Sequence, residues 1–553
     1  MSELVHPQDK RLIIAFFVTA IGSIAGGGVM ALTMVGIKVP AIPISGGDLF
    51  YQALTAHAML MFVYWLSFIQ AALMIGAVTA LLKGRRFYSL RFGWVSFALM
   101  FTGLTLNMYG VFSGANVLYT AFPPLTEQFE ATPAIYLGYI FLAIGALLLV
   151  INALLTIFGL VENKRKLESW KKMINEIHIA TFATMMGIIM IIAATIMAIN
   201  LYVPAFLSSI GVGSINAMDW RMSYHTVFHV VHYVPAMVLI GVCYVLVEVS
   251  MEAKSVYSKK VAKGLFILYP VTVPPTFLYH LLADPGISPE VKSIGSALAL
   301  LVGLPTILHM FIIMGMMETR IRSAGHNSLF GWMKRLPWKN PAIICMILGM
   351  LSMGLGGVLG YVLLQGQTAQ LLHGTFAVAA YIHPMAAGGA TLVYMGASYY
   401  MITGIRKRQL WKPWIARIQP YISFIGLFIF GIAGTIAGYL GAPRRTADVS
   451  YGGAAPEVWG SLINISVGLG GTLMVIGGVL FVLVILMTAF KGKKVDTIRQ
   501  AISEGLEPMR MPIKREVKQT PASLVPGTIF IILVIIITII SYWIIASWSI
   551  LFG

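Results

Sequence analysis

Of the 553 residues, 58% are hydrophobic and only 10% are charged, against roughly 25% charged in a soluble globular domain. The net charge of +18 would suit nucleic acid if it coated a soluble surface, but the basic residues fall in short clusters between long apolar runs. Cys243 and Cys345 have no pair spacing, so the chain encodes neither a disulfide framework nor a thiolate metal cluster.

A bilayer core about 30 Å thick needs about 20 apolar residues per helical crossing. On that measure the sequence predicts about thirteen helices, near 12–37, 51–82, 93–116, 133–161, 175–206, 222–250, 262–282, 293–318, 340–365, 370–403, 419–441, 458–490 and 526–551. Residues 1–11 are polar and lack the apolar stretch and small-residue cleavage site of a signal peptide, so the first helix is expected to be retained. The expected fold is an all-α polytopic membrane bundle forming one domain over residues 1–553. No internal repeat of the transporter kind is visible. Residues 491–525 are polar and basic, with Pro508, Pro512 and Pro521, and read as an inner linker before an Ile-rich last helix.

Placing the N-terminus in the cytoplasm leaves only five of the 38 Lys and Arg on the outer side: Lys38, Arg221, Lys292, Arg444 and Arg445. The clusters KGRR at 83–86, NKRK at 163–166, RKR at 406–408 and KGKK at 491–494 all fall inside. This split is the positive-inside pattern, and with an odd helix count it sets the C-terminus outside. The basic loops therefore read as topology signals facing anionic lipid, with no nucleic-acid partner.

Ionisable residues within membrane spans mark functional sites by default. Seven of the 11 histidines fall at one depth, toward the outer side, in four separate helices. His57 lies early in helix two, His225, His229 and His232 early in helix six, His280 at the end of helix seven, and His373 and His383 in the first half of helix ten. Such convergence favours a cofactor. Imidazole is the usual axial ligand of haem iron and a good copper ligand, and His57 and His383 could supply the two axial nitrogens of a low-spin haem. The i, i+4, i+7 spacing of the three helix-six histidines makes one stripe, which would also serve as a set of hydrogen-bonded core imidazoles. Tyr233 and the pair Tyr279–His280 lie beside these histidines. Arg444 and Arg445 are adjacent charges on a side poor in cations, and arginine pairs carboxylates such as haem propionates bidentately.

These residues resemble subunit I of the haem-copper oxidases, most closely the B-type branch. LTAHAML at 54–60 resembles the segment with one low-spin haem ligand, His57. NVLYTAFPPL at 116–125 is similar to the outer loop after helix three, and HVVHY at 229–233 to the H-x-x-x-Y pattern of a copper-binding His and its cross-linked Tyr. The stretch 279–306 resembles the segment that opens with two copper-binding His, and FGWMKRLPWKNPA at 330–342 the inner loop after it. HGTFAVAAYIHPM at 373–385 is similar to the segment carrying two haem ligands as H-x-H, and APRRTA at 442–447 to the arginine pair that holds propionates.

The resemblance implies His57 and His383 as low-spin haem ligands and His229 and His280 as copper ligands. It sets Tyr279 in place of the third copper ligand and Tyr381 in place of the proximal ligand of a second haem. Positions 381 and 383 are about 200° apart on a helix and can face two groups. His225 or His232 could stand in as a third copper ligand, and copper itself is left open. The resemblance also implies a proton path through Tyr244, Thr306 and His309, the last standing where the family has a hydroxyl. A phenolate ligand suits ferric iron, so oxygen chemistry has weaker support than haem binding. The implied function is the haem-binding subunit I of a terminal respiratory oxidase, of cytochrome c or quinol type, in a prokaryotic plasma membrane. Its implied partners are a subunit II-like protein and a cytochrome, copper protein or quinol donor. A pseudo-oxidase that passes electrons through a low-spin haem without reducing oxygen is the alternative. A nitric oxide reductase is disfavoured by Tyr233, which stands where that branch has Glu. A haem-free transporter is disfavoured by His57, His383 and the arginine pair.

Overall fold

Long apolar runs become long helices. In the computed structural model, which describes residues 5–42, 44, 46–82, 84–116, 131–159, 170–253, 259–282, 286–363, 366–448, 456–513 and 525–552, every described element is helical apart from two isolated β-bridges. For a few helical residues, Tyr279 among them, the backbone alone is described. Of the loop at 116–125 only Asn116 lies among the described residues.

The helices are α1 (Pro7–Lys38), α2 (Gly47–Thr79), α3 (Leu90–Phe112), α4 (Thr132–Phe158), α5 (Ile179–Ser209), α6 (Ala217–Met251), α7 (Lys259–Thr272), α8 (Leu304–Arg322), α9 (Pro341–Leu363), α10 in three consecutive segments (Ala377–Ile382, His383–Thr391 and Leu392–Arg406), α11 (Pro413–Tyr439), α12 (Glu457–Lys491) and α13 (Pro526–Phe552). Their ends carry the expected signals. Ser89 and Asn216 accept backbone N–H groups at the starts of α3 and α6, and α4 stops at Gly159 with φ +67°. Among the described residues nine helices, α1 to α6, α9, α11 and α12, are long and apolar enough to cross a membrane.

The predicted seventh, eighth and tenth helices are interrupted, and each interruption has a local cause. Pro274 and Pro275 remove two backbone donors, so α7 gives way to a 3-10 helix, Pro274–Leu281, and His280 hangs from its last turn. Pro289–Val302 and α8 meet at Gly303, just before Pro305. The predicted helix over 370–403 breaks between Gly366–Leu372 and Ala377, leaving His373 in the gap. The gap is held from outside: Phe376 N–H donates to Ala442 O at 2.8 Å, and Thr375 bridges Pro443. This ties the start of α10 to the loop bearing Arg444 and Arg445.

Three π-helical segments interrupt α2, α10 and α12: Met59–Trp65, His383–Thr391 and Asn464–Gly471. Such segments bulge the backbone and often accompany functional sites. His57 lies two residues before the first, and His383 opens the second. Around α10 the neighbours close in on small residues. An added Cβ on Gly431 of α11 would lie 2.8 Å from Pro384, and one on Gly438 would collide with the Ala377 backbone.

At the opposite end of the bundle, the described part of the predicted basic linker is pinned rather than loose. Gln409 and Lys493, Lys407 and Val495, and Ser250 and Met509 pair through backbone hydrogen bonds, and a Thr497–Gln500 capping box starts the short helix Ile498–Ala501. The buried Glu318 carboxylate accepts from Gly527 N, Thr528 N and Thr528 Oγ1, and pairs with Arg322 at 2.8 Å, fixing the start of α13 against α8. Residues 514–524 lie outside the described residues.

Because backbone stands where a Gly438 side chain would go, Gly438→Ala should destabilise the bundle by about 1–3 kcal/mol, as overpacking does. Gly22→Ala, which meets nothing within 4 Å, should be neutral. Melting curves of the detergent-solubilised protein compare the two.

Candidate cofactor site

One cavity of about 2490 Å³ gathers most of the residues singled out by the sequence. His57, His225, His232, His280, His373, His383, Tyr233, Tyr381, Thr306, Arg444 and Arg445 all line it. Small-molecule pockets occupy roughly 300–1,000 Å³, so this space admits more than one such group. His229 sits behind His280, fully buried.

The rings of His57 and His383 both line the cavity, with centroids 6.3 Å apart and planes within 10° of parallel. His57 Nδ1 donates to Gly27 O of α1 at 2.9 Å, and His383 Nδ1 donates to Ala379 O at 2.8 Å. A carbonyl accepts only, so each Nδ1 carries the proton and each Nε2 keeps its lone pair. That is the tautomer a metal ligand needs. With metal–imidazole bonds of about 2.0–2.1 Å and ring centres about 1.1 Å behind the nitrogen, two trans imidazoles stand roughly 6.3 Å apart. The observed separation matches what two imidazoles would show if their Nε2 atoms held one iron between them. Phe430 packs on His383 at 4.4 Å and Phe376 on Phe430 at 5.6 Å.

A second group centres on α6. His229 Nε2 lies 2.6 Å from Thr276 Oγ1, whose hydroxyl donates to Val273 O at 2.7 Å. Thr276 therefore accepts from His229 Nε2–H, and His229 Nδ1 keeps a lone pair 3.2 Å from His280 Nε2. That separation suits an N–H···N hydrogen bond, and equally two ligands on one tetrahedral ion, which stand about 3.3 Å apart. The Tyr233 ring lies 5.1 Å from His229, and His225 lies parallel to His280 at 5.4 Å. Among the described residues no three His, Cys, Asp or Glu side chains converge as a metal site. Neither His225 nor His232 joins His229 and His280 in such a set among the described residues. The His232 ring is wedged edge-on against Phe228 at 3.5 Å and Phe62 at 4.2 Å. The side chain of Tyr279 lies outside the described residues. Tyr381 lines the cavity and packs against Gly360 of α9.

Tyr244 and His309 meet, hydroxyl to Nδ1, at 3.0 Å, both fully buried. Thr306 joins a residue the sequence reading missed: Tyr269 on α7, 2.7 Å away. The Phe266 ring covers His309 at 4.0 Å, and His309 Nε2 is buried without a hydrogen-bond partner among the described residues. Lys38 was also missed as a site residue. Buried at the end of α1, it lines the cavity and donates to Thr446 O at 2.7 Å, one residue past the arginine pair. Arg444 N–H donates to Gly374 O at 3.3 Å, and Arg445 adopts φ +59°. The hint available for Thr276 was its place four residues before His280. Nothing singled out Tyr269.

Comparison with known proteins places these residues in context. The family model described as "Cytochrome C and Quinol oxidase polypeptide I" matches residues 11–468. The chain is 26% identical over 472 residues to cytochrome c oxidase subunit 1 of Thermus thermophilus, covering 82% of this chain and 80% of that protein. Its fold is similar to that of a haem-copper terminal oxidase dimer solved by cryo-electron microscopy, with a TM-score of 0.79 at 23% identity over 95% of this chain and 89% of the other.

The Thr276 contact has a measurable consequence. Thr276→Val would leave the buried His229 Nε2–H without its acceptor, a loss of about 1–3 kcal/mol, whereas Thr276→Ser should keep the bond and the stability. Melting temperatures of the two variants in detergent should differ accordingly.

Proposed function

Because the chain belongs to the cytochrome c and quinol oxidase polypeptide I family, we propose that it is the haem-carrying subunit I of a terminal oxidase complex in a prokaryotic plasma membrane, its histidine-rich end outward. The single observation that carries this reading is the His57–His383 pair, two parallel imidazoles with both Nδ1 protons spent on carbonyls and a gap that fits one iron. A haem held there would carry single electrons at a potential set by its axial nitrogens and the charge around it.

The chain's own residues do the rest. Gly27 and Ala379 fix the tautomer of each ligand, and Phe430, backed by Phe376, packs on the His383 ring. Arg444, Arg445 and Lys38 concentrate positive charge at one end of the cavity, where carboxylates of a bound group would be paired. Tyr381 lines the wall where a second haem would lie, and His373 sits in the break before α10. His229 and His280 offer two nitrogens, too few by themselves to define a copper site. Tyr244 with His309, and Tyr269 with Thr306, are two hydrogen-bonded pairs in the buried interior that could pass a proton toward Tyr233. With no paired cysteines for a dinuclear copper centre, electrons arrive through a partner subunit from a cytochrome, a copper protein or a quinol. The reading to be tested beside this one is electron transfer without oxygen reduction, favoured by the tyrosines at 279 and 381.

His57→Ala and His383→Ala should each abolish the low-spin bands in a reduced-minus-oxidised spectrum of the purified complex, because a bis-imidazole site cannot form from one ligand. Retention of the bands in both variants would sink the assignment. Carbon monoxide separates the two functional readings. Weak or absent binding is expected of the unmodified complex, strengthened by Tyr279→His together with Tyr381→His. Strong oxygen reduction lost on those changes would make tyrosine a working ligand.

A further inference from the structure

We infer that Lys38 is a charge-pairing residue for a carboxylate of the group gripped by His57 and His383, an inference that rests on the haem reading above. Lys38 is 6% exposed. Its ammonium donates to Thr446 O at 2.7 Å and lies 5.8 Å and 5.6 Å from the ring centroids of Phe50 and Phe376. An ammonium has three N–H donors, and burying such a charge is expensive unless it is paired. One backbone carbonyl and two ring faces are a partial answer, and the side chain lines the same cavity as His57 and His383.

Its position is fixed from both ligands. Phe50 precedes His57 by seven residues on α2, about two turns or roughly 10 Å along the same face. On the other side, contacts run from Phe376 to Phe430 to His383. Lys38 therefore stands about two turns beyond the imidazoles, where the acidic edge of a planar group held at its centre would come to rest. The arginine pair lines the same cavity, and its charges act on Tyr224, His225, His373 and Tyr381. The carboxylate that acts on Lys38 is Asp448, exposed and two residues past Thr446. Lys38 thus adds a third cation to the end of the cavity that carries the arginine pair, on the side of Phe50 and Phe376.

Spectroelectrochemical titration of the purified complex tests this. Losing a positive charge disfavours the reduced, less positive iron. Lys38→Met should lower the reduced-to-oxidised ratio of the low-spin haem at a fixed potential by about three- to tenfold, tenfold being 59 mV for one electron. Lys38→Arg should hold it near the unmodified value, and Asp448→Asn should raise it. A residue that merely latched the loop would leave this ratio unmoved. Normal low-spin bands with an unchanged ratio in Lys38→Met would overturn the inference and leave the haem reading standing. If Lys38→Met does not assemble, absence of a rise in Asp448→Asn overturns it instead. Lack of low-spin bands in the unmodified complex would overturn both.

Discussion

A neutral imidazole buried among apolar helices has one N–H that must find an acceptor, and which acceptor it finds decides which nitrogen remains to bind a metal. In this protein the acceptors are backbone carbonyls whose places are set by helix packing. Ala379 O already receives the backbone N–H of His383 and takes its Nδ1–H as well, using both lone pairs of one oxygen. Gly27 O comes from a different helix, and α1 approaches α2 closely there because residue 27 has no side chain: a Cβ would lie 2.6 Å from Met61. One imidazole is oriented by its own helix and the other by its neighbour. The bulges at Met59–Trp65 and His383–Thr391 lie beside that pair, and Gly431 lets α11 approach Pro384, next to His383.

The charged groups follow the same logic at the cavity's end. Cations inside an apolar bundle persist where backbone oxygen, aromatic faces or a ligand's anions receive them. The break at 373–376 matters here because its backbone groups are free to pair with the loop at 442–444. A continuous helix would have consumed those donors in its own ladder. The interruption therefore docks the cationic loop, and Lys38 holds the same loop from α1 through Thr446. Cation placement and the interruption of α10 are one structural fact.

Much of this was legible in the sequence. Helix positions follow from apolar run length, and the histidines' common depth follows from counting crossings. The stripe on α6 was read too simply. At 100° per residue, positions 225, 229 and 232 lie near 0°, 40° and −20°, so the stripe is about 60° wide. That width is enough to send His229 to Thr276 and His280 while His232 turns to Phe62 and Phe228. The break before α10 was not legible, because His-Gly-Thr-Phe has no strong helix breaker beyond one glycine and its cause lies in a loop some seventy residues downstream. Lys38 reads in sequence as an ordinary cation closing a helix. Its burial depends on Phe50 and Phe376, which only the fold brings to it.

The separation of the two gripping helices along the chain has a consequence for biosynthesis. His57 and its Gly27 acceptor lie on adjacent helices made at the start, whereas His383 emerges about 330 residues later, tens of seconds at roughly 5–20 residues per second. Throughout that interval His57 and the Gly27 carbonyl that receives its Nδ1–H are already made, while His383 is not. A group gripped by both imidazoles could be locked in only once α10 has been inserted, after residue 406 has been made.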